Sequence, residues 1–533
     1  MKKPDKQSIF LYALSVIGSG CGFLSQILVS GFWSSAFSQD VFFFSINTAF
    51  YFLSLGLGSL QSERVLRPER HHLNLRVIFL CIWTALSIPL LRYSIQSYGN
   101  LFLIPIGIVF VSGFIAGQII PLTLRLNEAQ DKLSLPMLFF LDYTAAIFFT
   151  FIFTFVLLIP LGYLRTSLVL AYSCFALTLL LMIWNREKRR SLWITALVGP
   201  ILPVLLLLIQ PSPKDAPGWR SPNPAKVIFK KQTHYQKIIL TEERGNNPYY
   251  PDDLERVLYL DGFIQFNSLY EQAYHFCLAN IPVFAADFLN EPPKRALILG
   301  GGDGLVARNL LGVPSIERID QVELDPEMIA MSKTEPHVRQ YNRGSFYNPK
   351  VNVIIADAFR WVRSAEKGAY DIIIVDFPDP KSITLSRLYS SEFYSYVWPL
   401  LAPKGFLSIQ SGPVYAIDDK EKLTLSRVTT TVMKTLASIG KASYVYYNPR
   451  DLDAFVLATP YPEFDMDAFT EKIGIRADIA NAHFCKYKRY WKVPEVSVNT
   501  LNTLPMTEYL LRWYDMAGGF FRYGDNYAIF LPE

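Results

Sequence analysis

Long apolar runs fill the first two hundred residues and then give way to short alternating ones. Seven stretches, residues 8–30, 39–60, 77–95, 101–124, 136–160, 163–184 and 192–210, meet or approach the roughly 20 apolar residues that cross about 30 Å of hydrocarbon. They predict a transmembrane helical domain over residues 1–210. The opening "MKKPDKQ" has the lysines of a signal peptide, but spans follow one another with no clear small-residue cleavage site, so the first helix is expected to be retained.

Short basic loops face the cytoplasm in multi-span proteins. "MKKPDKQ", "QSERVLRPERHHLNLR" and "NREKRR" are the basic ones here, whereas the loops near Ser35, Tyr98 and Gly162 carry at most one basic residue each. Seven crossings from an inside start leave the remainder of the chain outside. The seventh segment is interrupted by Gly199, Pro200 and Pro203, and a re-entrant piece there would return the chain to the cytoplasm, so both topologies stay open. Asp142 sits in an apolar segment and is read as an interfacial or capping acid, with a pathway role as the alternative.

Residues 211–225 are proline-rich and predict an extended linker. Beyond it, "AKVIFKKQTHYQKIILTEE" and "ERVLYLDGFIQFN" alternate and favour β-branched residues, predicting a small antiparallel β-domain with a connecting helix over residues 226–290. From residue 291 to 533 the runs "RALILG", "IDQVEL", "VNVIIAD", "YDIIIVD" and "GFLSIQ" alternate with helix-length segments. That spacing predicts an α/β domain with a doubly wound parallel sheet. The stretch "TEYLLRWYDMAGGFFRYGDNYAIFLPE" carries no interpretable motif.

Composition agrees with two parts. The chain has 533 residues, is 51% hydrophobic and has a mean hydropathy of +0.21. A net charge of +5 with no basic run interleaved with aromatics excludes nucleic acid as the expected partner. The five cysteines, at 21, 81, 174, 277 and 485, have neither zinc nor disulfide-framework spacing and are read as reduced and structural; no metal is expected.

In a doubly wound sheet, ligands bind beyond the carboxyl ends of the strands. Four acids fall there: Asp303, Glu323, Asp357 and Asp376. Glu323 follows Gly302 by 21 positions, the spacing at which a second-strand acid takes a ribose hydroxyl pair. Gly300, Gly302 and Gly304 permit close backbone approach to an adenosine-like group. Asp303 would repel a pyrophosphate or carboxylate but hold an ammonium, and Asp376 and Asp379 of "DFPDP" could grip a diamine. An amine with a pKa of about 10 arrives protonated, so a carboxylate at the attacking nitrogen is a suitable general base.

These residues resemble the polyamine aminopropyltransferases, the spermidine synthase family, in its form with an N-terminal multi-span membrane domain. "HYQKIIL", "LYLDGFIQF", "EQAYH", "LILGGGDG", "VELDPE", "ADAFRWV", "IIIVDFPDP" and "LYSSEFY" carry the resemblance over roughly residues 234–415. It implies a small β-domain before a Rossmann-like, methyltransferase-type domain. It further implies aminopropyl transfer from decarboxylated S-adenosylmethionine, a co-substrate with no prosthetic group, to a diamine such as putrescine. The products would be spermidine and methylthioadenosine.

By resemblance, Gln236, Gly300, Gly302, Asp303, Glu323, Asp357 and Ala358 hold the donor. Tyr274, His275 and Asp379 border the acceptor, and Asp376 is the catalytic base. Packing roles for Tyr274 and His275, and a turn-capping role for Asp379, are the alternatives. Two departures stand out: Ala358 where the family usually has Gly, and "YYNPRDLDAFVLA", with Arg450, Asp451 and Asp453, where the family has a longer aromatic loop. The resemblance also implies a multi-pass cell-membrane protein embedded in lipid, and a homodimer. The competing functions are an S-adenosylmethionine-dependent methyltransferase and a membrane polyamine transporter or sensor with a non-catalytic nucleotide-like domain.

Overall fold

A computed structural model describes residues 6–37, 40–65, 68–98, 103–126, 135–208, 225–244, 254–475 and 485–516. The expected linker lies almost wholly outside the described residues. The chain divides into two compact units, over Met1–Pro222 and Asn223–Gly524.

The first unit is helical: α1 (Lys6–Phe37), α2 (Asp40–Ser62), α3 (Arg70–Tyr98), α4 (Leu103–Ala116), α5 (Ile119–Arg125), α6 (Leu135–Phe151), α7 (Leu158–Trp184), α8 (Arg190–Val198) and α9 (Ile201–Leu208). Among the described residues five helices are long and apolar enough to cross a membrane: Lys6–Ser34, Arg70–Ser94, Leu103–Arg125, Leu135–Leu157 and Leu161–Trp184. The expected span 39–60 is helical over Asp40–Ser62. The expected span 192–210 is two short helices, broken at Gly199 and Pro200. Helices α2 and α4 meet backbone to backbone: a Cβ at Gly58 would strike the Phe114 carbonyl, and one at Gly117 the Leu55 carbonyl. Small residues at such crossings bring helices into close dispersion contact.

The second unit opens with a four-stranded antiparallel sheet, β1 (Lys226–Gln232), β2 (Lys237–Arg244), β3 (Leu254–Leu260) and β4 (Phe263–Asn267), in that order. Asp261 and Gly262 turn β3 into β4 at φ +52° and +83°, the left-handed pair that a two-residue hairpin requires. Next come α10 (Glu271–His275), one π-helical turn (Phe276–Asn280) and α11 (Ile281–Phe288).

The larger sheet has eight strands: β5 (Arg295–Gly300), β6 (Arg318–Glu323), β7 (Val351–Ile355), β8 (Tyr370–Asp376), β9 (Leu401–Pro413), β10 (Ser443–Tyr447), β11 (Asp453–Ala458) and β12 (Lys486–Tyr487), with α12 (Leu305–Leu311) after β5 and α13 (Pro326–Thr334) after β6. Their order is β12-β10-β11-β9-β8-β5-β6-β7. Strands β5 to β9 are parallel, but β9 pairs with β11, β11 with β10 and β10 with β12 antiparallel, so the sheet is mixed and not wholly parallel as expected. Strand β5 is buried on both faces, which is why "RALILG" reads as a continuous apolar run.

The expectation of reduced cysteines needs correction. Cys277 of the π-helical turn and Cys485 are joined in a disulfide, 208 positions apart in sequence. Spacing gives no hint of such a pairing, because the fold and not local sequence brings the two together. Cys21, Cys81 and Cys174 are free and buried.

Candidate active site

Strand β5 ends at Gly300, level with Asp376 at the end of β8. A Cβ at Gly300, where φ is +88°, would collide with the Asp376 carbonyl oxygen, so glycine is required for the two strand tips to meet. The Gly301 amide then donates to that carbonyl at 3.0 Å. At Gly302 a Cβ would lie 2.7 Å from Glu323 Oε2, which places the glycine loop directly against the end of β6. Asp303 follows, almost fully buried. Its carboxylate accepts from the Leu305 amide at 2.9 Å, and its own carbonyl accepts from Asn342 Nδ2 at 2.8 Å.

Helix α10 brings the other side of the cleft. His275 lies one turn beyond Glu271, so both project from one face. His275 Nδ1 is 2.6 Å from the Glu271 carbonyl oxygen, which can only accept, so this nitrogen carries hydrogen and Nε2 is the free one. Nδ1 is also 3.3 Å from Glu271 Oε2. Arg308 of α12 grips both Glu271 carboxylate oxygens, each at 2.9 Å. Tyr274 points across the cleft, its hydroxyl donating to Asp376 Oδ1 at 3.2 Å while its ring meets Phe455 edge-on at 5.2 Å.

His275, Asp303 and Asp376 each offer one ligand atom, all within 4.8 Å of one another. Burial raises Asp376 to about 7, helped by the charge of Asp303 and opposed by His275 and the Tyr274 hydrogen bond. Asp303 is likewise raised by burial, with His275 and the Leu305 amide opposing. Burial alone would lower His275, but Glu271, Asp303 and Asp376 together hold it above its usual value. The arrangement is two carboxyl groups and an imidazole brought together at the strand tips, with His275 and Asp303 buried.

The donor side is built around Glu323. Its Oε1 accepts from the Asp325 amide at 3.0 Å, and burial pushes its carboxyl up to about 7. Gln236, on the β1–β2 turn, is held through Asp325: its Nε2 donates to Asp325 Oδ2 at 3.1 Å, beside the Thr233 hydroxyl at 2.8 Å. Asp357 caps the helix after β7 by accepting from the Phe359 amide, and its other oxygen pairs with Arg387 Nη2 at 2.7 Å. Ala358 beside it is buried. No described contact joins this pair to the His275, Asp303 and Asp376 group. Asp379 Oδ1 accepts from Gln410 Nε2 at 2.6 Å, and Gln410 Oε1 accepts from the Tyr389 hydroxyl at 3.0 Å.

Sequence reasoning missed Asp325, Arg308, Gln410 and Tyr389, which fix the positions of the others. Asp325 and Tyr389 stand inside quoted motifs. Arg308 and Gln410 had no local signal, since each acts on a residue far away in sequence.

A family profile described as the spermine/spermidine synthase domain matches residues 271–446. The polyamine aminopropyltransferase 2 of Aquifex aeolicus is 30% identical over 470 residues, 86% of this chain and 89% of its own length. The polyamine aminopropyltransferase of Oceanobacillus iheyensis is 27% identical over 479 residues, again covering 86% and 89%. The solved spermidine synthase from Thermotoga maritima aligns with 50% of this chain and 81% of its own, at 24% identity and a TM-score of 0.38. On the relatedness to the Aquifex aeolicus protein, the chain belongs to the polyamine aminopropyltransferase family.

Proposed function

We propose that the chain transfers the aminopropyl group of decarboxylated S-adenosylmethionine to a diamine such as putrescine, with Asp376 as general base. The observation that carries this is the convergence of Asp303, Asp376 and His275 at the tips of β5 and β8, with Tyr274 hydrogen-bonded to Asp376. Asp303 holds the donor's primary ammonium and so aims its propyl chain into the cleft. Glu323, beside Gly302, takes the ribose hydroxyls, with Gln236 placed near it by Asp325. The Asp357–Ala358 turn borders the base of the nucleoside.

The acceptor's ammonium approaches Asp376, gives up a proton to that carboxylate, and its lone pair attacks the carbon next to the sulfonium. A C–N bond forms as the C–S bond breaks, and the sulfur leaves with its electron pair as neutral methylthioadenosine. The two protons left on the attacking nitrogen stay with the product, a secondary ammonium, which is the protonated form expected at neutral pH. Tyr274 orients Asp376, and Glu271 with Arg308 fixes the imidazole of His275 beside both carboxylates.

The helical unit is proposed to sit in a membrane as a multi-pass domain. Supporting this are five sufficiently long apolar helices and an outward apolar face near α6, where Phe140 is 61%, Ile147 70% and Phe155 69% exposed. The test is to incubate purified protein with decarboxylated S-adenosylmethionine and putrescine. Methylthioadenosine should appear in step with spermidine. Methyl transfer from S-adenosylmethionine with no aminopropyl transfer would replace this reading by the methyltransferase one.

A further inference from the structure

We infer that Asp453, with Asp451 beside it, anchors the ammonium of the acceptor that does not attack; this rests on the aminopropyl-transfer reading above. Side chains alternate along a strand. On β11, Ala454, Val456 and Ala458 pack into the core on one side of the sheet, and Phe455 and Leu457 into the core on the other. Asp453 therefore shares the face of Phe455, against whose ring Tyr274 packs while reaching Asp376. Two strand residues span about 6.7 Å, so Asp453 lies one side chain beyond Phe455 along that face.

The neighbouring strand is shaped to the same end. Asp453 pairs with Pro413, yet Phe455 pairs with Gln410, so β9 carries one extra residue between these positions. Gly412 lies in that bulge at φ +77°, and a Cβ there would be 3.8 Å from Asp379 Oδ1. Bulges of this kind re-aim side chains beside active sites. Here it sets Asp379 against the segment of β9 that faces Asp453.

Two observations indicate that this group awaits a cation. Asp451 Oδ1 is buried with no hydrogen-bond partner, a costly state for a carboxylate oxygen unless a donor arrives with a ligand. Burial, then Asp451, then Asp379 hold Asp453 well above the usual carboxylate range, and burial raises Asp451 to about 7 against the opposing fields of His275 and Arg450. Burial, and then the charges of Asp376, Asp453 and Asp379 among others, push the Tyr274 hydroxyl up. An ammonium entering between Tyr274 and Asp453 would relieve these repulsions at once.

The experiment compares putrescine with n-butylamine, which has the same chain but no second ammonium, by methylthioadenosine release from the full-length protein. The wild type should prefer putrescine strongly. In Asp453→Asn the KM for putrescine should rise about 10- to 100-fold, the loss expected for a hydrogen bond to a charged group. Its kcat and donor KM should change little, and the preference over n-butylamine should shrink by the same factor. If Asp453→Asn does not fold, Asp451→Asn carries the same readout. An undiminished preference, or equal loss of kcat with both amines, overturns the inference. Absence of methylthioadenosine with every amine in the wild type would instead sink the aminopropyl-transfer reading beneath it.

Discussion

Arg308 holds both carboxylate oxygens of Glu271 at 2.9 Å, and the pair stands directly behind His275. The Glu271 side chain is 1% exposed and that of Arg308 9%, so neither charge has water to fall back on. Removing one partner of such a pair typically costs about 3–5 kcal/mol, because the other is left buried and uncompensated. Arg308→Ala should therefore lower the stability of the second unit by about that amount, measured by denaturant unfolding. Replacing both residues by apolar ones of similar volume should cost much less.

His275 also tunes its neighbour. The base must be ionised to accept a proton, so acceptor kcat/KM should fall as pH drops through about 7, the value to which burial raises Asp376. His275 opposes that rise. His275→Gln should move the acid limb to higher pH, and a pH profile of methylthioadenosine release in both proteins checks the direction.

The same displacement bears on folding. Asp376 titrates near 4 in an unfolded chain but at about 7 in the fold, so the folded state binds its proton more tightly. Its contribution to stability is greatest below about 4, declines as pH rises toward 7, and above 7 remains a constant cost. Asp376→Asn removes the cost, and at pH 8 should stabilise the unliganded protein by roughly 1–3 kcal/mol. The thermal midpoints of the two proteins should draw together as the pH is lowered from 8 toward 4.

Much of this site was legible from period and position. Alternating apolar runs located the strands, and a parallel sheet puts strand ends on one edge, so Asp303, Glu323 and Asp376 could be grouped without coordinates. The loop glycines were legible too, although their strongest constraint is the approach of Asp376 and Glu323 to the loop. Direction was not legible. The runs forming β10 and β11 look like those of β5 and β8, and nothing local states that they run antiparallel. Partnerships across long separations were equally hidden: Arg308 with Glu271, Arg387 with Asp357, and Cys277 with Cys485 depend on the finished fold.

The Cys277–Cys485 bridge ties the segment entering β12 to the turn that follows His275. Cross-linking residues 208 positions apart strongly restricts the unfolded chain, and loss of a native disulfide typically costs 2–5 kcal/mol. Cys485→Ala should lower the unfolding midpoint accordingly. Because the bridge anchors the end of the His275 helix, acceptor KM should rise more than donor KM. Equal stability of oxidised and reduced protein would remove the bridge from this account.

The most direct test of the central claim is single-turnover methylthioadenosine formation by Asp376→Asn beside the wild type, with donor binding measured in parallel. Loss of a general base predicts a rate about 10²–10⁴-fold lower with donor affinity nearly unchanged. A variant that turns over at the wild-type rate would contradict the assignment of Asp376 as the proton acceptor.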